Sequence, residues 1–126
     1  MTTTAHPLDA SADAARATLI RMGQERDARN AAEAAEVAPI LARLSDAQKR
    51  ALDPEQSYWD HTLCIPTRTA RALERHGLIR DLRDTGVGAT VWARYTAEGG
   101  KVYRALRHHA WLARKAEMEA ERAALG

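Results

Sequence analysis

The chain has 126 residues, of which 29% are charged and 5% aromatic, and its formal net charge is +2 at pH 7. This length allows one domain with a modest core and is too short for two ordinary domains. The sequence contains no run of about 18 apolar residues, so a membrane-spanning helix is not expected, and its single cysteine rules out an internal disulfide framework. One cysteine fits a reducing compartment, and we predict a cytoplasmic protein.

The charge is distributed unevenly along the chain. Residues 1–65 carry a net charge of −3, residues 66–115 a net charge of +7, and residues 116–126 a net charge of −2. A basic middle between acidic ends indicates a local anionic partner, because clustered Lys and Arg side chains attract phosphates. A solvated charged face without a partner is the alternative interpretation.

The N-terminal part predicts helix. Residues 1–8 lack the pattern of a signal peptide and predict a disordered tail. Residues 9–44 are rich in Ala, Arg and Glu and predict a helical arm, as one long helix or two shorter ones. An apolar stripe near its end comprises Val37, Ile40, Leu41 and Leu44. Pro39 lies in this stripe and either kinks the helix or starts a new one near Ala38; we favour the new helix.

A short helix and an irregular segment are predicted next. Ser45 and Gln48 form a capping box, in which the Ser hydroxyl accepts from a backbone N–H and the Gln side chain reaches back. The helix that they open ends before Pro54. Residues 55–65 predict one helical turn and a loop that pack inward.

The stretch from Thr67 to Gly77 is the most informative part of the chain. Thr67 is predicted to be the N-cap of a short amphipathic helix, and Gly77 supplies its left-handed stop. Ala70 and Leu73 form the inner face. The residues left for solvent or a ligand are Arg68, Thr69, Arg71, Arg75 and His76.

A hairpin and a long helix are predicted to complete the fold. Residues 78–83 and 90–95 predict two strands, joined by a flexible turn over residues 84–88. Thr96 is predicted to cap a final helix over about residues 98–124. The positions predicted to face inward are Val102, Tyr103, Leu106, Ala110 and Ala113. Those predicted to face a partner helix are Leu112, Ala116 and Ala123.

The order of helix, short segment, Thr-capped helix, hairpin and Thr-capped helix resembles the winged helix-turn-helix family, in particular the MarR-like bacterial regulators. Residues 67–79 are similar to the recognition helix and first wing strand of that family. Residues 95–102 are similar to its step of tyrosine or leucine, threonine, two residues and glycine into the helix after the wing. The resemblance implies a mainly α fold with a small β-hairpin. Its winged helix-turn-helix core spans residues 45–106, and residues 107–126 continue as a C-terminal helix and possible dimer arm.

The resemblance also implies a double-stranded DNA-binding protein, sequence-specific or semi-specific, that acts as a transcriptional regulator of bacterial or phage origin. The implied contacts are Thr67, Arg68, Thr69 and Arg71 in the major groove, Arg75 near a phosphate, and Arg83 and Arg94 of the wing in the minor groove or on the backbone. Arg pairs bidentately with guanine, and Thr contacts a phosphate or a thymine methyl group. One copy with so few basic contacts binds weakly at physiological salt, so we expect a homodimer through the N- and C-terminal helices, with recognition helices about 34 Å apart.

The alternative function is a helical structural or interaction protein, such as a phage assembly component or an inhibitor that docks on a host protein. The long Ala/Glu/Arg helices at both ends favour it, because winged-helix modules also serve protein contacts. We predict no enzyme activity, since Asp60 and His61 have no nucleophile placed beside them. No metal or cofactor is predicted either, and Cys64 is expected to be a buried structural residue. The tryptophans predicted to anchor the core or an interface are Trp59, Trp92 and Trp111, of which Trp92 alternatively faces a partner.

Overall fold

The structure, a computed structural model, describes residues 7–52, 57–58 and 62–126. The elements that it describes are, in chain order, α1 Pro7–Leu41, α2 Asp46–Ala51, β1 Ser57–Tyr58, β2 Thr62–Pro66, α3 Thr67–Arg75, β3 Ile79–Asp84, β4 Thr90–Tyr95 and α4 Ala97–Leu125. The strands form an antiparallel sheet in the order β1-β2-β4-β3. The prediction of a mainly α protein with a small β component is confirmed, and the sheet exceeds the predicted hairpin because β2 joins it.

Helix α1 continues through Pro39 and ends at Leu41, so the expected new helix near Ala38 is wrong. The proline lies in the last turn, where its missing N–H removes one hydrogen bond from a helix that is about to end. Most of the tail predicted over residues 1–8 lies outside the described residues, and α1 begins at Pro7. In the described part of the chain, no helix is both long and apolar enough to cross a membrane.

One core joins the end of α1 to every later helix and to the sheet. Its buried members include Val37 of α1, Leu52 after α2, Leu73 of α3 and Val102 of α4. The predicted apolar stripe of α1 is confirmed, with three buried residues and the half-buried Ile40.

The capping box at the start of α2 is confirmed. The Ser45 N–H donates to Gln48 Oε1 over 2.9 Å, and the Gln48 N–H donates to Ser45 Oγ over 3.1 Å. The helical turn predicted between residues 55 and 65 is wrong where the structure describes it, because β1 and β2 lie there. Leu63 and Ile65 are buried and alternate with the half-buried Cys64, which is the period of a strand. Cys64 is therefore not the fully buried residue that we expected, and Trp59 lies outside the described residues.

The start of α3 differs from the prediction. Pro66 is the N-cap, no side chain caps the helix, and Thr67 is its first residue. The Thr67 N–H donates to the Ala89 carbonyl over 2.8 Å, so the end of the β3–β4 loop satisfies the first of the N–H groups that the start of α3 leaves without a partner in the helix.

The stop of α3 at Gly77 is confirmed. Gly77 has a φ of +74°, which a residue without a Cβ adopts readily. The Leu78 N–H donates to the Leu73 carbonyl over 3.1 Å, and the Gly77 N–H donates to the Glu74 carbonyl over 2.9 Å. This is a Schellman motif, and the two leucines that accompany it are fully buried.

The two predicted strands after α3 are confirmed as β3 and β4. A bulge interrupts their pairing between Arg80 and Arg83, and Asp81 within it has a φ of 58°. The turn between the strands is held by Asp84, whose Oδ1 accepts from the Gly86 N–H over 2.8 Å.

Helix α4 begins at a cap that ties it to the end of α3. Thr96 Oγ1 accepts from the Gly99 N–H over 3.0 Å and donates to the Gly77 carbonyl over 2.6 Å, which confirms Thr96 as the cap. Val102 is buried, as predicted, and Ala105 is buried beside it. Of the other residues predicted to face inward, Tyr103 and Leu106 are only half-buried. The prediction is wrong for Ala110 and Ala113, which are exposed. The core ends at this point of the helix, whereas α4 runs on unbroken past residue 107.

We expect Thr96→Val to lower the free energy of unfolding by about 1 to 2 kcal/mol, because one change removes both the helix cap and the donor to Gly77. Urea denaturation would measure this loss. Thr18→Val is the matched control, since Thr18 donates to the Ala14 carbonyl on an exposed face of α1 and caps nothing. Equal losses in the two variants would contradict the role assigned to Thr96.

Candidate nucleic-acid interface

Three arginines share the open face of α3. The helix turns Ala70 and Leu73 into the core, which leaves Arg68, Arg71 and Arg75 on the outside at helical spacing. Together with Thr67 and Ala89 they line a groove of about 460 Å³. Among the described residues, no ion pair engages any of the three guanidinium groups. The side of this groove next to the hairpin is formed by Ala89.

The other predicted residues of this helix are less available. Thr69 is half-buried, and the Thr67 N–H already donates to Ala89. Glu74 is exposed on the same helix, although no ion pair joins it to an arginine of the described chain. The start of α3 is therefore only partly free to receive an anion.

Arg83 and Arg94 lie on a different surface. In β4 the buried Val91 and Ala93 alternate with the exposed Trp92 and Arg94, and α3 packs on the buried side. Arg83 is paired with Trp92 across the two strands and is exposed with it. Both arginines thus point away from the sheet face that carries α3. Their faces depend on the strand register and on the bulge before Arg83, neither of which the sequence reveals.

The outer sheet face is basic and partly aromatic. Arg80 lies directly opposite Arg94 in the register, and Arg80 Nε is 3.8 Å from Asp81 Oδ2. Trp92 is 38% exposed on this face, so the prediction of a core anchor is wrong, whereas its predicted role at an interface or towards a partner stays a prediction. The tip of the hairpin carries Val87, which is 76% exposed, and no cation.

Helices α1 and α4 lie antiparallel and are joined by two ion pairs across their contact. Lys101 Nζ lies 2.8 Å from Glu36 Oε1, and Arg104 Nε lies 2.6 Å from Glu33 Oε1. The hydrogen bond from Arg104 holds the pKa of Glu33 below its ordinary value, and the bond to Glu36 raises the pKa of Lys101. These two cations of α4 are therefore neutralised by α1.

A second and larger groove, of about 830 Å³, runs beside this helix pair. Its lining residues are Arg26, Asp27, Asn30, Tyr95, Thr96, Ala97, Gly100, Lys101, Tyr103, Arg104, Arg107, His108, Trp111 and Arg114. This groove was not predicted from the sequence. The sequence does contain an indication of it, because residues 99–116 have no acidic side chain. The net charge was counted only over the longer range 66–115, so this shorter basic segment was not singled out.

No metal site emerges from the residues that the structure describes, in which no three His, Cys, Asp or Glu side chains are grouped to hold an ion. His61 lies outside them. Cys64 is half-buried on the outer side of β2, opposite Trp92 in the register.

Comparisons of the chain with protein-family models, with curated proteins and with solved structures give no significant match in any of the three. The resemblance to winged helix-turn-helix regulators therefore stays a prediction from two short stretches. One described feature departs from it. A helix-turn-helix joins its two helices by about three or four residues, whereas residues 52–66, including β2, separate α2 from α3.

Proposed function

We propose that this chain is a double-stranded DNA-binding protein that lays α3 in the major groove and acts as a transcriptional regulator. The observation that carries the proposal is the convergence of Arg68, Arg71 and Arg75 on one groove, without ion pairs among the described residues. The β3–β4 hairpin flanks α3 through Ala89, in the position that a wing would take.

The dimensions of α3 suit this role. From Arg68 to Arg75 the helix rises about 10 Å, at about 1.5 Å per residue, which matches roughly three base pairs at 3.4 Å each. The major groove is about 12 Å wide and admits one helix, and arginine is its commonest reader of guanine. Arg83 and Arg94 lie on the outer sheet face, so we assign them a contribution through long-range attraction and not through contacts in the same groove.

A single α3 supplies too few contacts for tight binding at physiological salt, and we propose that two copies act together. The distal arm, which we define as residues 10–25 of α1 with residues 112–125 of α4, exposes large apolar side chains. They are Leu19, Ile20, Met22, Leu112, Met118 and Leu125. A helix pair that keeps such residues in water gains stability by burying them against another copy.

One charge pair on α4 suits a second copy of the chain. Arg114 and Lys115 are followed by Glu117, Glu119 and Glu121. When α4 packs antiparallel against its symmetry mate near Met118, Lys115 of each copy lies opposite Glu121 of the other, whereas Arg114 lies opposite Arg122 and Glu117 opposite Glu119. The exposed apolar arm also supports the alternative function, a helical interaction protein whose partner is a different chain.

We expect the double change Arg68→Ala and Arg71→Ala to weaken duplex binding at least about tenfold, since a bidentate Arg–guanine contact contributes about 1 to 3 kcal/mol. The salt dependence of the dissociation constant should flatten, by about 0.9 in the log–log slope for each phosphate contact that is lost. Fluorescence anisotropy with a labelled GC-rich duplex, titrated at several salt concentrations, measures both quantities.

Arg43→Ala with Arg50→Ala is the matched control, because it removes the same charge from exposed positions outside the groove. Equal affinities of the two double variants would exclude α3 as the DNA surface. If the wild-type chain binds no duplex even at low salt, and recovers one stoichiometric protein partner, the interaction-protein alternative is favoured.

A further inference from the structure

The larger groove beside α1 and α4 has the form of a ligand site separate from α3. Tyr103, Arg107, Trp111 and Arg114 recur at helical spacing and line it from α4. Arg26 of α1 lies on the other side. Its volume of about 830 Å³ falls within the range of about 300 to 1,000 Å³ that is usual for small-molecule sites.

Aromatic rings and cations alternate along this groove. The Arg107 guanidinium lies 5.8 Å from the centre of the Tyr103 ring and donates to its hydroxyl over 3.4 Å. Trp111 is 40% exposed, the His108 ring is stacked against it with 6.0 Å between the ring centres, and Lys115 Nζ lies 5.3 Å from the centre of its ring. A planar ring gains from stacking on such surfaces, by about 1 to 3 kcal/mol for a nucleic-acid base.

The groove carries an excess of positive charge. Lys101 and Arg104 are neutralised by the carboxylates of α1, but Arg107 and Arg114 form no ion pair within the described residues. The groove has one carboxylate of its own, Asp27, whose Oδ1 is 3.9 Å from Arg26 Nε. A ligand that fits must therefore bring a negative charge as well as a ring.

The spacing along α4 brings these two requirements together. Trp111 lies four residues after Arg107 and three before Arg114, which corresponds to about 6 Å and about 5 Å along the helix. Those distances fit a ring joined to an anionic group. We infer that the groove binds a nucleotide, with its base on the exposed surface of Trp111 and its phosphate at Arg107 and Arg114. The inference is independent of the proposed duplex binding, because α3 contributes nothing to this groove.

The same chemistry is offered by a free mononucleotide and by one unit of a single strand. Isothermal titration of the full chain with adenosine monophosphate, adenosine, inorganic phosphate and a six-nucleotide adenine strand distinguishes them. We expect adenosine monophosphate and the adenine strand, each of which carries both a base and a phosphate, to bind at least about tenfold more tightly than adenosine or inorganic phosphate, since each half of the ligand adds its own contacts. Binding of the strand without the mononucleotide would support the inference and identify a strand as the source.

Arg107→Gln and Trp111→Leu should each weaken that binding about tenfold, through one charged contact and one stacked base. Arg122→Gln is the matched control, since Arg122 is an exposed cation of α4 outside the groove. Far-ultraviolet circular dichroism confirms that the variants fold. Unchanged affinity in Arg107→Gln, equal binding of adenosine and its monophosphate, or no heat from either nucleotide probe at millimolar concentration overturns the inference. The α3 double variant should keep nucleotide binding, so failure of the duplex proposal is separately visible.

Discussion

Gly99→Ala is expected to lower the free energy of unfolding by about 3 kcal/mol or more, the upper range for overpacking of a close contact. A β-carbon on Gly99 would overlap the carbonyl oxygen of Leu78 and lie 2.8 Å from the carbonyl carbon. That carbonyl cannot move away cheaply, because its oxygen accepts from the Thr96 N–H over 3.0 Å. Leu78 is itself fully buried. The strain therefore falls on backbone that several contacts hold in place.

The neighbouring glycine provides the control. A β-carbon on Gly100 would meet only the flexible end of Arg104, at 3.4 Å. Gly100→Ala should leave stability unchanged or raise it by up to about 1 kcal/mol, because alanine is the better helix former. Urea denaturation of both variants measures the difference. A Gly99→Ala protein as stable as Gly100→Ala would refute the close approach of α4 to Leu78.

The contact at Gly99 also determines where the arms lie relative to α3. Thr96 and Gly99 join the first turn of α4 to Gly77 and Leu78, the residues that end α3. The arginine face of α3 and the start of α4, whose far end belongs to the distal arm, are thus connected through a few backbone contacts. Any pairing of two arms then sets the separation of two α3 helices, which is what a two-site DNA ligand requires.

The elements predicted correctly from the sequence are those with local signals. The Ser45 capping box, the Gly77 stop and the Thr96 cap each lie within a few residues of the groups that they satisfy. The start of α3 was predicted wrongly for the converse reason. The Thr67 N–H donates to the carbonyl of Ala89, 22 residues away in the chain, and no local sequence pattern predicts such a partner.

The two candidate sites also differ in whether a local sequence pattern predicts them. The common face of Arg68, Arg71 and Arg75 follows from helical spacing alone. The second groove depends on which residues of α1 oppose α4, and the pair that fixes this alignment, Glu33 and Arg104, is separated by 71 positions. Without that alignment of α1 and α4, the sequence shows that residues 99–116 are basic but does not show that they line a concave surface.

The distal arm gives the second large expected effect. We expect the wild-type chain to have twice the 13.9 kDa mass of one copy, and Met118→Glu to reduce it to that of a single copy. Met118 is 55% exposed and lies within the acidic segment of α4, between Glu117 and Glu119, where the proposed two-fold axis passes. A carboxylate there would be buried beside its own symmetry mate, and burial of unpaired like charges opposes association strongly. Light scattering coupled to size-exclusion chromatography measures the mass.

Loss of the homodimer should also weaken DNA binding. Two linked contacts bind more tightly than one by about 10² to 10⁴-fold, so Met118→Glu should reduce affinity for a two-site duplex by at least about a hundredfold and leave binding to a single half-site unchanged. Leu19→Glu, on the α1 side of the distal arm, should act in the same way. Val87→Glu is the control for mass, because it places the same charge on an exposed apolar residue of the hairpin tip. A wild-type chain that is monomeric at all concentrations, or a Met118→Glu variant that stays paired, would remove the homodimer and leave the arm to a different partner.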